Sequence, residues 1–172
     1  MSEKNYKIRK SFLMPFTLDV VLLFVLIVIS LFTDSHPSER IILVLFFIPL
    51  LFFLIEGSMR EISIGDKSLT IKKFFKKKII GWGDITNLDT VILRKKAYLA
   101  VTTTKGFYVI SNSYEKFSSL VDGIVGHLDS EKIEERVRDI ITHPVNKRSD
   151  IVGAWIIVFL IAAILYAKIF VA

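Results

Sequence analysis

The chain contains no cysteine. Disulfides, a thiolate nucleophile and thiolate-held zinc or iron–sulfur centres are therefore excluded, and cysteine usage says nothing of the redox compartment. Histidine is almost as scarce: His36, His127 and His143 stand far apart, with His36 expected across a membrane from the other two. There is no H-E-x-x-H pair, no glycine-rich phosphate loop and no G-x-S-x-G turn. Carboxylates cluster only at Glu131, Glu134, Glu135 and Asp139, interleaved with Lys132, Arg136 and Arg138, the pattern of a solvated helix face with i,i+4 pairs. From these absences we expect no catalytic residue, no cofactor and no metal site, and a protein that is not an enzyme.

Long apolar runs, in contrast, are abundant. Over half of the 172 residues are hydrophobic, yet 23% are charged, so greasy and polar blocks alternate along the chain. PFTLDVVLLFVLIVISLF fills Pro15 to Phe32, IILVLFFIPLLFFLI fills Ile41 to Ile55, and IVGAWIIVFLIAAILYAKIFVA fills Ile151 to Ala172. About 20 apolar residues of helix span a bilayer core. Flanking residues extend the first two runs, with Pro37 and Ser38 a plausible start for the second. A chain this short could not cover all three as core helices, so three transmembrane helices are expected. The first run follows KNYKIRK, as a signal peptide would, but Phe32-Thr33-Asp34-Ser35 lacks a small-x-small cleavage site, and a retained anchor is the reading. Asp19 reads as a first-turn residue of a helix starting near Pro15, at interfacial depth where the helix dipole favours an acid; the alternative is a proton-relay role. Pro49 is expected to kink the second helix.

Orientation follows from charge. Lys4, Lys7, Arg9 and Lys10 precede the first span, and residues 57–150 hold 17 lysines and arginines against 12 acids. The turn TDSHPSER has only Arg40 as a cation. By the positive-inside rule, the N-terminus and residues 57–150 are cytoplasmic and the C-terminus is outside. Lys168 near the outer end can snorkel to the interface.

Between Met59 and Ile110 the apolar residues change to a period near two. Ile62 and Ile64, then Leu69 and Ile71, alternate with polar neighbours on either side of the turn Gly65-Asp66-Lys67; Ile79, Ile80 and Trp82 follow the lysines, and Gly83-Asp84 breaks the run. NLDTVILRKK, AYLAVTTTK and GFYVISN read as further strands, with Lys105-Gly106 a tight hairpin. Phe117, Leu120, Val121, Ile124 and Leu128 then form a helical stripe, with Asn112 and Glu115 as a capping pair. A second amphipathic helix is expected over Ser130 to Thr142, ended by His143-Pro144 before the linker VNKRSD. This gives four segments: 1–57, a two-helix membrane hairpin; 58–128, a β-rich domain of six or seven antiparallel strands and a C-terminal helix; 129–150, helix and linker; 151–172, the last span.

Ser68-Leu69-Thr70-Ile71, a basic hairpin, Ile80-Gly81-Trp82-Gly83-Asp84-Ile85, and strands ending in Gly106-Phe107-Tyr108-Val109-Ile110 before a helix resemble the bacterial pleckstrin-homology-like domain over residues 58–128. Members often follow a pair of membrane helices and carry I-P-W-x-D-I at this place; Gly81 stands where that proline would be. The resemblance implies a partly closed sheet capped by a helix, a bacterial inner-membrane location, and a binding or assembly role. It makes Trp82 and Ile85 core residues and Asp84 a turn residue.

The stretch TIKKFFKKKII carries the chain's densest run of lysines. Lys72, Lys73, Lys76, Lys77 and Lys78 are expected to line a hairpin tip with Phe74 and Phe75 at the turn. Topology already accounts for the net charge of +6, and one adjacent aromatic pair is no stacking surface, so a nucleic-acid partner is not expected. A contact with anionic lipid headgroups and a plain solvated hairpin that blunts a sheet edge both remain open. The leading reading is a membrane-tethered binding or scaffold module for a protein or for lipid headgroups. The alternative is a subunit of a larger homo- or hetero-oligomeric complex, packed through its spans: Gly153, Ala154, Ala162, Ala163 and Ala167 permit close helix contact, and Trp155 and Tyr166 suit interface anchors.

Overall fold

The computed structural model describes residues 3–33, 36–93, 96–142 and 149–170, the last from Ile151 onward for side chains. His143, Pro144 and most of the VNKRSD linker lie outside them. The chain forms two compact units, one of residues 1–9 and 59–147 and one of residues 10–58 and 148–172.

The first unit carries two antiparallel sheets. One has four strands in sequential order: β1 (Lys4–Lys7), β2 (Glu61–Ile64), β3 (Ser68–Lys73) and β4 (Lys76–Gly81). The other has three, β5 (Ile85–Leu93), β6 (Lys96–Thr103) and β7 (Gly106–Ser111). The six strands expected between Met59 and Asn112 all form, because each places alternate apolar side chains on one face. Across the second sheet, Leu88 pairs with Val101 and Val101 with Tyr108, while Thr90 pairs with Leu99 and Leu99 with Ile110. Leu88, Leu99, Val101 and Ile110 of these rows are buried. The β6–β7 turn is Thr104-Lys105, one residue earlier than Lys105-Gly106. Thr103 organises it: its Oγ1 donates to the Gly106 carbonyl at 2.8 Å and accepts from the Lys105 N–H at 3.2 Å. Gly106 follows at φ +147°, a backbone angle that L side chains rarely adopt.

Helix α3 (Phe117–Val125) buries Phe117, Leu120, Val121 and Ile124, the stripe expected from its 3.6-residue period. Leu128 lies beyond its end. The Asn112–Glu115 cap does not form: the N-cap is Lys116 at φ 50°, with no side-chain cap bond, and Asn112 is instead buried at the end of β7, its N–H on the Ala97 carbonyl. The second amphipathic helix also starts later than expected. Ser130–Lys132 makes one 3-10 turn, Ile133 bridges to Leu88, and the Glu134 N–H donates to the Leu88 carbonyl. Only then does α4 (Glu135–Thr142) begin, burying Val137 and Ile140. The competing backbone partner on β5 is what breaks the helix.

Strand β1 departs most from the sequence reading. Residues 4–7 belong to the four-stranded sheet rather than to a membrane hairpin over 1–57, with Lys4 opposite Ile64 and Lys7 opposite Glu61. Tyr6 and Ile8 are buried, and the Tyr6 hydroxyl donates to the Ser119 carbonyl of α3 at 3.2 Å. Burial lifts the Tyr6 phenol above its ordinary value of 10.0, and the charge of Asp122 adds to the rise. The folded unit therefore holds this proton more tightly than the unfolded chain. The resulting stability is fully present below about pH 10 and is lost as pH climbs through the folded value. Alkaline denaturation of the unit is expected to begin above about pH 10, and Tyr6→Phe should flatten that limb; an identical limb in the variant would assign it to other groups.

The second unit holds three helices long and apolar enough to cross a membrane: α1 (Lys10–Phe32), α2 (Pro37–Met59) and α5 (Ser149–Phe170). Helix α1 packs along α5, burying Pro15, Asp19, Val20, Leu23, Leu26 and Ser30 on its side, with Ala154 and Val158 buried on α5. Helix α2 has no buried residue. At one end Lys168 bonds to Glu39, and Arg40 donates to the carbonyls of Ser30 and Thr33 at 2.9 and 3.2 Å. Pro49 lies inside α2. Pro15 is likewise inside α1 rather than at its start, so Asp19 sits nine residues along the helix instead of in its first turn. A proline removes its own N–H and crowds the carbonyl four residues back, yet the turn ahead of Pro15 stays helical here.

Candidate functional site

The basic stretch forms a β3–β4 hairpin in the first unit. Lys73 pairs with Lys76, leaving Phe74-Phe75 as a two-residue turn at the apex. Two-residue hairpins favour Asn-Gly or Asp-Gly because positive φ is needed there. Phe74 nevertheless sits at φ 31°, an angle that strains a bulky residue. Its ring meets that of Phe75 edge-on at 4.1 Å, and Phe75 is 83% exposed.

Register decides where the lysines point. Lys73, Lys76 and Lys78 alternate in phase with the buried Ile71 and Ile80, whereas Lys72 and Lys77 lie opposite each other on the other face. The cations thus surround the apex instead of covering one side. They are not equivalent. Lys72 is half-buried and its ammonium donates to Glu61 on β2 at 2.9 Å, a bond that, with the Glu61 charge, raises its pKa. Lys73, Lys76, Lys77 and Lys78 are exposed, and among the described residues no acidic side chain pairs with them. Ile79 beside them is also exposed. The expectation of five equal tip lysines therefore reduces to four, because the strand register gives the fifth a carboxylate partner.

Trp82-Gly83-Asp84 forms a 3-10 turn between the two sheets. Ile85 after it is completely buried. Trp82 is not the core residue the sequence suggests: its ring is half-buried, stacked on the His127 ring at 4.4 Å and 15°, and its Nε1–H donates to the Gly65 carbonyl at 3.0 Å. Asp84 accepts the Thr104 N–H on its backbone carbonyl at 3.0 Å, and its carboxylate lies 3.6 Å from the Lys105 ammonium. One turn thereby ties the β2–β3 turn, the residues after α3 and the β6–β7 turn together. Because the indole lies over the surface, Trp82→Ala is expected to cost about 2 kcal/mol, the sum of a part-buried ring and one hydrogen bond. A fully buried aromatic would cost about 3–5 kcal/mol. Urea unfolding of the purified protein, followed through the first unit, separates the two values.

The sequence offers no sign of the His127 stack, since 45 residues separate it from Trp82. Among the described residues, no group of three or more His, Asp or Glu converges as a metal site would require. Compared with protein-family models, curated proteins and solved structures, the chain matches none.

Proposed function

We propose that this chain is a three-span membrane protein of the bacterial pleckstrin-homology-like kind, whose β-rich unit is a cytoplasmic binding module that meets anionic lipid headgroups tip-first through the β3–β4 hairpin. The observation that carries the reading is the apex itself: an exposed Phe75 ringed on both faces by four cations that have no acidic partner among the described residues. Each basic residue near an anionic leaflet contributes about 1 kcal/mol. Spans already hold such a chain in place, so the contact governs the pose of the unit rather than its attachment. Two further features support the reading. Strands β1 and β2 share a sheet although α1 and α2 lie between them, which requires both strands on the same side of any membrane those helices cross, in agreement with the lysine and arginine asymmetry. Gly81 has φ −65° and ψ 144°, the φ a proline ring fixes, so the family's proline would fit the backbone there.

The chain's lack of cysteine makes the test direct: a spin label on Phe75→Cys in vesicles, with and without Lys→Gln at 73, 76, 77 and 78. The label is expected to sit deeper in anionic than in neutral vesicles, and shallower in the four-fold variant. It should also rise as the Debye length falls from about 10 Å at 0.1 M salt to about 3 Å at 1 M. Depth indifferent to lipid charge, salt and the lysines would leave a solvated hairpin.

The subunit reading draws on α2, none of whose residues is buried by the chain itself, and on Gly153, Ala163 and Ala167, which are exposed on α5. A stoichiometric partner retained through gentle-detergent purification would favour it.

A further inference from the structure

Asp19, on α1 of the helical unit, is a buried ionisable side chain that the tip-contact function does not use. Pro15, Asp19, Leu23, Leu26 and Ser30 follow one another at helical spacing along the buried stripe of α1, and α1 packs along α5. Asp19 is 1% exposed, and its Oδ1 is fully buried with no hydrogen-bond partner among the described residues. It stands nine residues beyond Lys10, about 13 Å along the helix axis, well inside a helix of 23 residues.

The charged groups of the unit do not compensate it. On α5, Lys168 is committed to Glu39, and Tyr166 is exposed; the side chain of Asp150 lies outside the described residues. On α2, Arg40 is bonded to the Ser30 and Thr33 carbonyls, and Ser30 is eleven residues further along α1, about 16 Å away. Glu56, the remaining charge on α2, has the same sign as an aspartate. Lys10, at the start of α1, is separated by the nine residues already noted. A carboxylate stripped of water without a counter-charge is very costly, and the inexpensive remedy is to take up a proton.

We infer that Asp19 is a proton-binding site, a single carboxyl held as the neutral acid within the buried stripe of α1. The ligand is the proton and not a metal ion, because calcium needs six to eight oxygen ligands and magnesium six, and no such group of acids or histidines surrounds Asp19 among the described residues. Release gives a carboxylate and a free proton, and the charge so created has to be met by water or a cation entering the stripe. Protonation and close packing of α1 therefore favour one another. The site is independent of the hairpin tip and goes beyond the lipid contact.

Infrared spectroscopy of the whole protein in vesicles at neutral pH tests this. Exposed aspartates and glutamates are ionised there, so a protonated-carboxyl C=O stretch in the wild-type spectrum is expected, and it should vanish in the near-isosteric Asp19→Asn. A wild-type spectrum with carboxylate bands alone, or an acid band that persists in folded Asp19→Asn, would overturn the assignment. If the variant does not fold, the wild-type spectrum still decides by presence or absence of the acid band, with backbone-carbonyl 13C labelling excluded and side-chain 13C-aspartate labelling identifying the residue type.

Discussion

Replacing Tyr6 and Ile8 together by alanine is expected to destabilise the sheet unit by on the order of 5 kcal/mol, in line with large-to-small changes at buried aromatic and aliphatic sites. Both side chains are buried. Tyr6 stands opposite Ile62 on β2 and reaches α3 through its hydroxyl, while Ile8 bridges to Tyr114. The flanking backbone is equally engaged: the Arg9 N–H donates to the Ser113 carbonyl at 3.0 Å and the Glu115 N–H to the Lys7 carbonyl at 2.8 Å. The two side chains are neighbours, so the double change need not equal the sum of the single ones. A small domain has only about 5–15 kcal/mol to lose, and removing β1 would also expose β2 as a new sheet edge. Limited proteolysis and urea unfolding in detergent measure the effect. An unchanged urea midpoint would mean that β1 is a dispensable tail.

Leu99→Ala should have a comparable consequence in the other sheet, about 2–5 kcal/mol. Leu99 is completely buried and lies between Thr90 and Ile110 on the middle strand of three, where little can collapse into the vacated volume. Val91→Ala is the matching control. It sits on the opposite face of β5, paired with Tyr98 and exposed, and should change stability by no more than about 0.5 kcal/mol. Equal urea midpoints for the two variants would mean that the sheet faces are assigned the wrong way round.

The elements that sequence periodicity revealed are those whose signal is local. The three long helices announce themselves by length and apolarity, and β2 to β7 by alternate Ile, Leu and Val. The basic hairpin was legible from the lysine run between two apolar pairs, and its turn falls at Phe74-Phe75 between the paired Lys73 and Lys76. What escaped was set by distant partners. KNYK shows one apolar side chain in four and reads as the charged flank of the first span; only Ile62 and α3, far along the sequence, make it a strand. Glu61 removes Lys72 from the tip by cross-strand register. Leu88 halts the second amphipathic helix at Ile133 and Glu134. Trp82, a core residue by the family resemblance, is instead held at the surface, its N–H by the Gly65 carbonyl and its ring by His127, 45 positions away. Asp19 reads as interfacial only for a helix that starts at Pro15, and the helix starts five residues earlier, at Lys10.

The pairing of β1 with β2 imposes an order in time on the making of this protein. Lys7 and Glu61 are paired across 53 intervening residues. Closing a flexible loop of that length costs on the order of 3 kcal/mol in chain entropy. Synthesis at about 5–20 residues per second leaves β1 without its partner for roughly 3–10 s. During that interval the strand is a peptide with two lysines, an asparagine and one aromatic ring, soluble enough to wait and poorly suited to pairing with another chain. The first-made strand of the sheet is thus completed only after both of the following helices have been synthesised, and the closing cost falls if those helices have already folded back with Leu13 beside Gly57.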